Sequence, residues 1–239
     1  MVNIALETLM IIDIETVSEY KNFDQMDESW QYLWTEKISK SLNETTGIED
    51  SYTGKAAIFA EFGKIICISI GYFVLENEAY TFRVKSIYGH DEKVVLCEFI
   101  DILNKWIIKK KQIVFCGHNI KEFDIPYISR RLLINELDLP AFLDFQNVKP
   151  WDVPMIDTLQ LWKFGDYKNY ISLKLLAHVL KIESPKDDID GSMVGRVYWE
   201  ENDLERISVY CQKDVVTVAQ IILRFKKMPL LLQPNIIIV

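Results

Sequence analysis

The sequence predicts an α/β layer fold, in which strands and helices alternate along the chain. Three observations carry that expectation. Leu9–Ile14 is a continuous apolar run, as in a strand buried on both faces. Residues 64–74 and 79–85 read as two more strands joined at a turn, Glu76-Asn77-Glu78. Residues 93–106 and 204–222 repeat apolar side chains at helical spacing.

Each element has its own local reason. In the first helix Val94, Val95, Leu96, Phe99, Ile102, Leu103 and Trp106 recur at helical spacing, and Lys109-Lys110-Lys111 reads as its solvated end. Ile113–Cys116 is a short buried strand ended by Gly117, and a helix follows over residues 125–133 with Pro126 tolerated in its first turn. Leu173–Leu180 reads as a short helix through Leu173, Leu175, Leu176, Val179 and Leu180. In the last helix Asn202 and Glu205 stand at the positions of a capping box, ahead of a stripe of Leu204, Ile207, Cys211, Val215, Val218 and Ile222. Residues 18–60 fit no simple βα unit. They are expected to be an insertion, with a short helix near Trp30–Ser41, in a single domain spanning residues 1–239.

A chain of 239 residues with 49% hydrophobic content has ample material for a packed core, which excludes disordered and low-complexity classes. No basic region precedes the apolar run Leu9–Ile12, and Asp13 and Glu15 interrupt it too early for a leader peptide. No segment approaches the ~20 apolar residues of a membrane span. Cys67, Cys97, Cys116 and Cys211 are far apart, in apolar surroundings and without CxxC spacing, so neither zinc nor a disulfide framework is indicated. The expected setting is a reducing cytoplasm, without a membrane.

The net charge of −8 argues against a protein that grips phosphate backbones through its overall field. Its distribution weakens that argument. Residues 1–60 hold 4 Lys and Arg against 11 Asp and Glu, whereas residues 101–186 hold 13 against 10.

The informative residues are acids lodged in apolar elements, where an unpaired charge is expensive. Asp13 and Glu15 stand two apart on a strand and leave the same face. Such a pair either binds a hard divalent cation, Mg²⁺ or Mn²⁺, or marks a strand that ends at Asp13. Asp214 interrupts the buried stripe of the last helix, with Tyr210 one turn before it. A buried Asp of this kind is met by a metal, an Arg or a backbone donor. Asp124 opens a helix after the turn Gly117-His118-Asn119, a position that also suits an N-cap. His118 reads as a loop histidine with ordinary hydrogen bonds. Asp188-Ile189-Asp190-Gly191 is not a calcium loop, because Val197 stands where the closing Glu belongs.

Taken in order, Ile12-Asp13-Ile14-Glu15-Thr16, Asn119-x-x-x-Phe123-Asp124 and Tyr210-x-x-x-Asp214 resemble the three motifs of the DEDD (DnaQ-like) 3′–5′ exonucleases. Tyr210 marks the tyrosine subclass, since Val209 occupies the position of the histidine in the other. Residues 62–71 and 184–192 look like the stand-alone bacterial relatives of the family-B DNA polymerase proofreading domain.

The resemblance implies a ribonuclease H-like fold, a five-stranded mixed sheet with the second strand antiparallel and helices on both faces. It implies that Asp13, Glu15, Asp124 and Asp214 bind two divalent ions, Mg²⁺ or Mn²⁺, and that Tyr210 orients or helps deprotonate the attacking water. Thr16, Asn119 and Phe123 would then form the pocket for the terminal nucleotide. The expected activity is hydrolysis at the 3′ end of DNA, in repair or proofreading, where tethered proofreading would need a separate polymerase or repair partner. Trimming of RNA and a catalytically silent nucleic-acid-binding module are the alternatives.

Overall fold

The computed structural model describes residues 4–42, 46–110, 113–149, 151–166, 168–183 and 189–239. Lys111 of the lysine run and residues 184–188 of the second family-like stretch, Asp188 of the rejected calcium loop among them, lie outside the described residues.

The chain starts its sheet with β1 (Leu9–Ser18), longer than the apolar run because it continues through Asp13 and Glu15. The reading in which the strand stops at Asp13 is thereby overturned. Strands β2 (Gly63–Glu76) and β3 (Ala79–Tyr88) form the expected hairpin, and β4 (Val114–Gly117) and β5 (Ile156–Asp157) come later in the chain. The spatial order is β5-β4-β1-β2-β3-β6. β2 runs antiparallel to both its neighbours, and the other pairs are parallel.

This is the mixed α/β sheet the resemblance implies, with one correction: six strands are described where five were expected. The sixth, β6 (Ile236–Ile238), lies parallel to β3 through Phe82↔Ile236 and Val84↔Ile238. It satisfies backbone groups of β3 that would otherwise form an open sheet edge. Three isoleucines after a Pro234 turn carry no alternation by which a strand is recognised.

Between β1 and β2 the chain forms α1 (Glu28–Ile38) and α2 (Ile48–Lys55), the second of which the sequence did not suggest. Trp34, Ile38, Tyr52, Ala56 and Phe62 bury each other there in a small separate core. Helix α3 (Glu92–Lys110) and helix α4 (Asp124–Ile134) cover one face of the sheet. After β5 come α5 (Thr158–Lys163), α6 (Leu173–Val179), the single turn α7 (Val194–Arg196), and α8 (Leu204–Phe225), which covers the opposite face.

The period-two alternation of β1 decides which residues meet which helix. Met10, Ile12 and Ile14 pack with Val95, Phe99 and Leu103 of α3 and with Ile125, Ile128 and Leu132 of α4. Leu9 and Ile11 pack with Val215, Val218, Ala219 and Ile222 of α8. Gly71 of β2 lets α8 come close, since a Cβ there would stand 2.8 Å from Val215 Cγ1. Leu9 and Ile11 share their face with Asp13 and Glu15, so the two acids are carried beneath the same helix.

Three local expectations change. Asn202 is not the cap of α8: it is left-handed and closes a wide turn over Val197–Glu201, and Asp203 caps instead, accepting from Arg206 N. Leu175 and Val179 of α6 face solvent, while Leu176 is buried. Cys97 is exposed, whereas Cys67, Cys116 and Cys211 are buried as expected.

Candidate active site

The structure brings the three acidic segments together at the end of β1. Glu15 is 8% exposed and Asp124 4% exposed, deep burial for carboxylates. Asp13 stands across from Ser69 and Glu15 across from Cys67 on β2. Immediately after Glu15 the register slips, Thr16 pairing with Ile65, so Ile66 is an extra residue in β2. A bulge at this point re-aims the side chains beyond it. Thr16 Oγ1 donates to Ala57 O at 2.8 Å, which ties the site to the segment between β1 and β2.

Asp124 is not an N-cap. It is the first residue of α4, and its Oδ1 accepts from Ile14 N at 3.1 Å, reaching across to the residue between Asp13 and Glu15. From the other side α8 supplies Tyr210, Cys211 and Asp214. The Tyr210 hydroxyl bonds to the Asp214 carboxylate one turn on, as the spacing predicts. The Cys211 thiol lies 3.3 Å from Asp13 Oδ2 and 3.4 Å from Asp13 O. Asp13, Glu15 and Cys211 have potential ligand atoms all within 4.8 Å of one another.

The electrostatics result from crowding in a dry site. Burial raises the Asp13 carboxyl well above its usual range, and Asp214, Glu15 and Asp124 push it further. Burial and Asp214 do the same to Glu15. Burial likewise lifts Asp124, to about 7, against the hydrogen bond from Ile14 N that favours its charged form. The Tyr210 phenol is pushed far up by burial and then by Asp214, so it keeps its proton. No ion pair among the described residues involves Asp13, Glu15 or Asp124. Buried acids that repel and lack a cation have the chemistry of a hard divalent-metal site, and the oxygen donors present fit Mg²⁺ or Mn²⁺.

Asn119 and Phe123 lie in the turn between β4 and α4. Asn119 adopts the left-handed conformation (φ 63°), and its Oδ1 is buried without a hydrogen-bond partner in the structure. An orphaned acceptor costs about 1–3 kcal/mol unless a donor reaches it. The Phe123 ring packs 5.3 Å from that of Tyr127, whose hydroxyl donates to Ala57 O. His118 makes the ordinary bonds expected of it, with Thr158 Oγ1 and Ile171 O, both at 2.9 Å.

A sequence-family model described as a predicted 3′-5′ exonuclease related to the exonuclease domain of PolB matches residues 58–235. The chain belongs to that family. Asn119, Phe123, Asp124, Tyr210 and Asp214 of this PolB-related exonuclease fall inside the match. Asp13, Glu15 and Thr16 precede it, and the pairing of β1 with β2 and β4 unites them with the rest. The family B DNA polymerase of the hyperthermophilic archaeon Pyrobaculum calidifontis is structurally similar, with a TM-score of 0.49 and 17% identity over 90% of this chain. The exonuclease chain spans only 24% of that polymerase. No curated protein sequence matches it.

Two residues of the site escape a reading of the sequence. Cys211 reads as core, since a thiol at a stripe position carries no other signal. Asp157 does leave a signal, because it ends an apolar strand as abruptly as Asp13 follows one.

Proposed function

We propose that this exonuclease removes nucleotides from the 3′ end of DNA, on single-stranded or frayed ends, with two bound divalent ions, Mg²⁺ or Mn²⁺. The carrying observation is the convergence of Asp13, the buried Glu15 and Asp124, and the Tyr210–Asp214 pair on one cluster of mutually repelling acids. The domain reading is one nuclease domain over residues 1–239 with residues 18–60 inserted. Repair or proofreading is the process we assign, with any polymerase or repair partner supplied as a separate chain. All four cysteines are free thiols, in keeping with a cytoplasmic setting.

Asp13, Glu15, Asp124 and Asp214 would hold the ions. When bound, two such ions activate water and relieve charge on the phosphate and the leaving oxygen. The chain's own part is positioning. Ile14 N fixes the Asp124 carboxylate. Cys211 donates to Asp13 and favours its charged form. Tyr210, holding its proton and donating it in a hydrogen bond to Asp214, orients the attacking water by accepting a hydrogen bond from it. Asn119 offers its unpartnered Oδ1 to the terminal nucleotide, Phe123 supplies an apolar wall and Thr16 lies beside the sugar.

The test is a side-by-side digestion of 5′-labelled single-stranded DNA, frayed duplex and matched RNA with Mg²⁺ or Mn²⁺. A ladder shortening from the 3′ end of DNA, lost in Asp13→Ala while the fold survives, is the expected result. Faster shortening of RNA would replace the DNA assignment with RNA trimming, which the 2′-OH decides. Undiminished digestion by Asp13→Ala would overturn the site.

A further inference from the structure

Asp157, 2% exposed, ends the edge strand β5 and holds two separate segments at once. Locally Oδ1 accepts from Leu159 N at 2.9 Å and Gln160 N at 3.4 Å, capping α5. Across the fold the same oxygen accepts from Asn119 N at 2.9 Å, and Oδ2 accepts from Lys121 N at 3.2 Å. A helix cap needs one acceptor, which Ser or Asn supplies as well. Four backbone donors arriving from two directions need the two oxygens of a carboxylate.

The register Gly117↔Asp157 between β4 and β5 sets this carboxylate beside the turn that leaves β4. Within that turn Glu122 N and Phe123 N both donate to Asn119 O, at 3.1 and 3.0 Å, so its shape depends on how Asn119 is held. Asn119 is the left-handed residue there, and it carries the orphaned side-chain oxygen. Two unfavourable local features thus coincide at one residue whose amide the buried carboxylate grips. Strain that persists because its surroundings over-determine it is characteristic of a pre-organised site. Asp124 has its own anchor at Ile14 N, so the bond that places its carboxylate is not the bond that grips Asn119, although the Asp157 charge also reaches Asp124.

We propose that Asp157 is a positioning residue for substrate: its carboxylate locks the β4–α4 turn so that Asn119 and Phe123 meet the terminal nucleotide. The proposal rests on the nuclease reading given above for the function of Asn119 and Phe123. It places the effect of Asp157 on substrate binding, ahead of metal binding or the rate of the bound complex.

Asp157→Ser weakens the two duties unequally: a serine still caps α5, but its single, shorter-reaching oxygen loses Lys121 N and leaves Asn119 N competing with the cap for what remains. Ser172→Ala, which removes the cap of α6, is the control for simple loss of a cap. With a single-stranded DNA oligonucleotide and Mn²⁺, Asp157→Ser is expected to raise KM roughly tenfold or more, with kcat changed less. Mn²⁺ affinity measured by calorimetry stays at the wild-type value, and hydrogen exchange at the Asn119 and Lys121 amides quickens. Asp157→Asn, keeping one oxygen, recovers part of the KM, and it takes over the measurements if the serine variant does not fold.

An unchanged KM in the folded variant overturns the proposal, as does a fall in Mn²⁺ affinity as large as the loss in KM. A wild-type protein that digests no oligonucleotide defeats the nuclease reading instead. In that case the binding of a nucleoside 5′-monophosphate with Mn²⁺ replaces KM, and equal affinity in wild type and Asp157→Ser overturns the proposal.

Discussion

The two faces of β1 begin alike and end differently. On one face Met10, Ile12 and Ile14 are apolar throughout and pack against α3 and α4. On the other, Leu9 and Ile11 pack against α8 and are succeeded by Asp13 and Glu15, carried beneath the same helix. The strand and its pleat are shared, so the contrast isolates what the acids do. The apolar face adds stability in proportion to the area it removes from water. The acidic face spends stability, since carboxylates in a dry cluster raise one another's pKa unless a cation joins them.

Exchanging one residue on each face breaks the comparison most sharply. Activity first: Glu15→Gln, on the acidic face, is expected to lower the rate of DNA digestion on the order of a hundred- to a thousandfold. Its melting temperature should stay at or above that of the wild type. Ile12→Ala, on the apolar face, is expected to cost about 2–5 kcal/mol in urea unfolding, as for other large-to-small core changes. The molecules of Ile12→Ala that remain folded should digest DNA at nearly the wild-type rate. If Glu15→Gln melted as early as Ile12→Ala, or Ile12→Ala lost its activity while folded, the division of labour between the faces would be wrong.

A middle-sized effect sharpens the role of Tyr210. Tyr210→Phe removes the hydroxyl that bonds Asp214 but keeps the ring. If that hydroxyl orients the water, kcat falls roughly a hundredfold while KM for the oligonucleotide holds. A change confined to KM would assign the hydroxyl to substrate binding instead.

The same contrast explains what is legible in the sequence. Periodicity marks buried faces, so β1 to β4, α3 and α8 can be read from Ile12, Phe99 or Val218 and their neighbours. Acids stand out against such faces, and Asp13, Glu15, Asp124 and Asp214 are found that way. A role set by a distant backbone group leaves no such mark, even where the residue itself stands out. Asp157 looks like any helix cap, and Cys211 like any core thiol, until Asn119 N and Asp13 are seen beside them. Helix α2 escapes because its residues are mostly polar and Tyr52 docks on Trp34 through tertiary packing. β6 escapes because it exists only as a partner for β3.

The smallest effect, and the one that tests the charge argument directly, lies in how stability depends on pH without metal. Asp124 has its folded value raised to about 7, above that of an unfolded Asp near 4. Between those values the folded protein holds a proton that the unfolded chain releases. The contribution of Asp124 is therefore fully present below about pH 4 and is lost as pH rises through about 7. Asp124→Asn keeps an oxygen for Ile14 N and carries no charge. Without metal it should match the wild type near pH 4 and become progressively more stable than the wild type toward pH 8. Mn²⁺ should reverse that order, because a ligand bound only by the folded state stabilises it by about 2.7 kcal/mol at a hundred times its Kd. The variant, short of one carboxylate, gains less. Thermal melts of both proteins at pH 4, 6 and 8, with EDTA or Mn²⁺, read all of this in one series. Parallel curves in EDTA would mean that Asp124 is held charged by a partner already in the fold, and the acidic face would then need no cation to complete it.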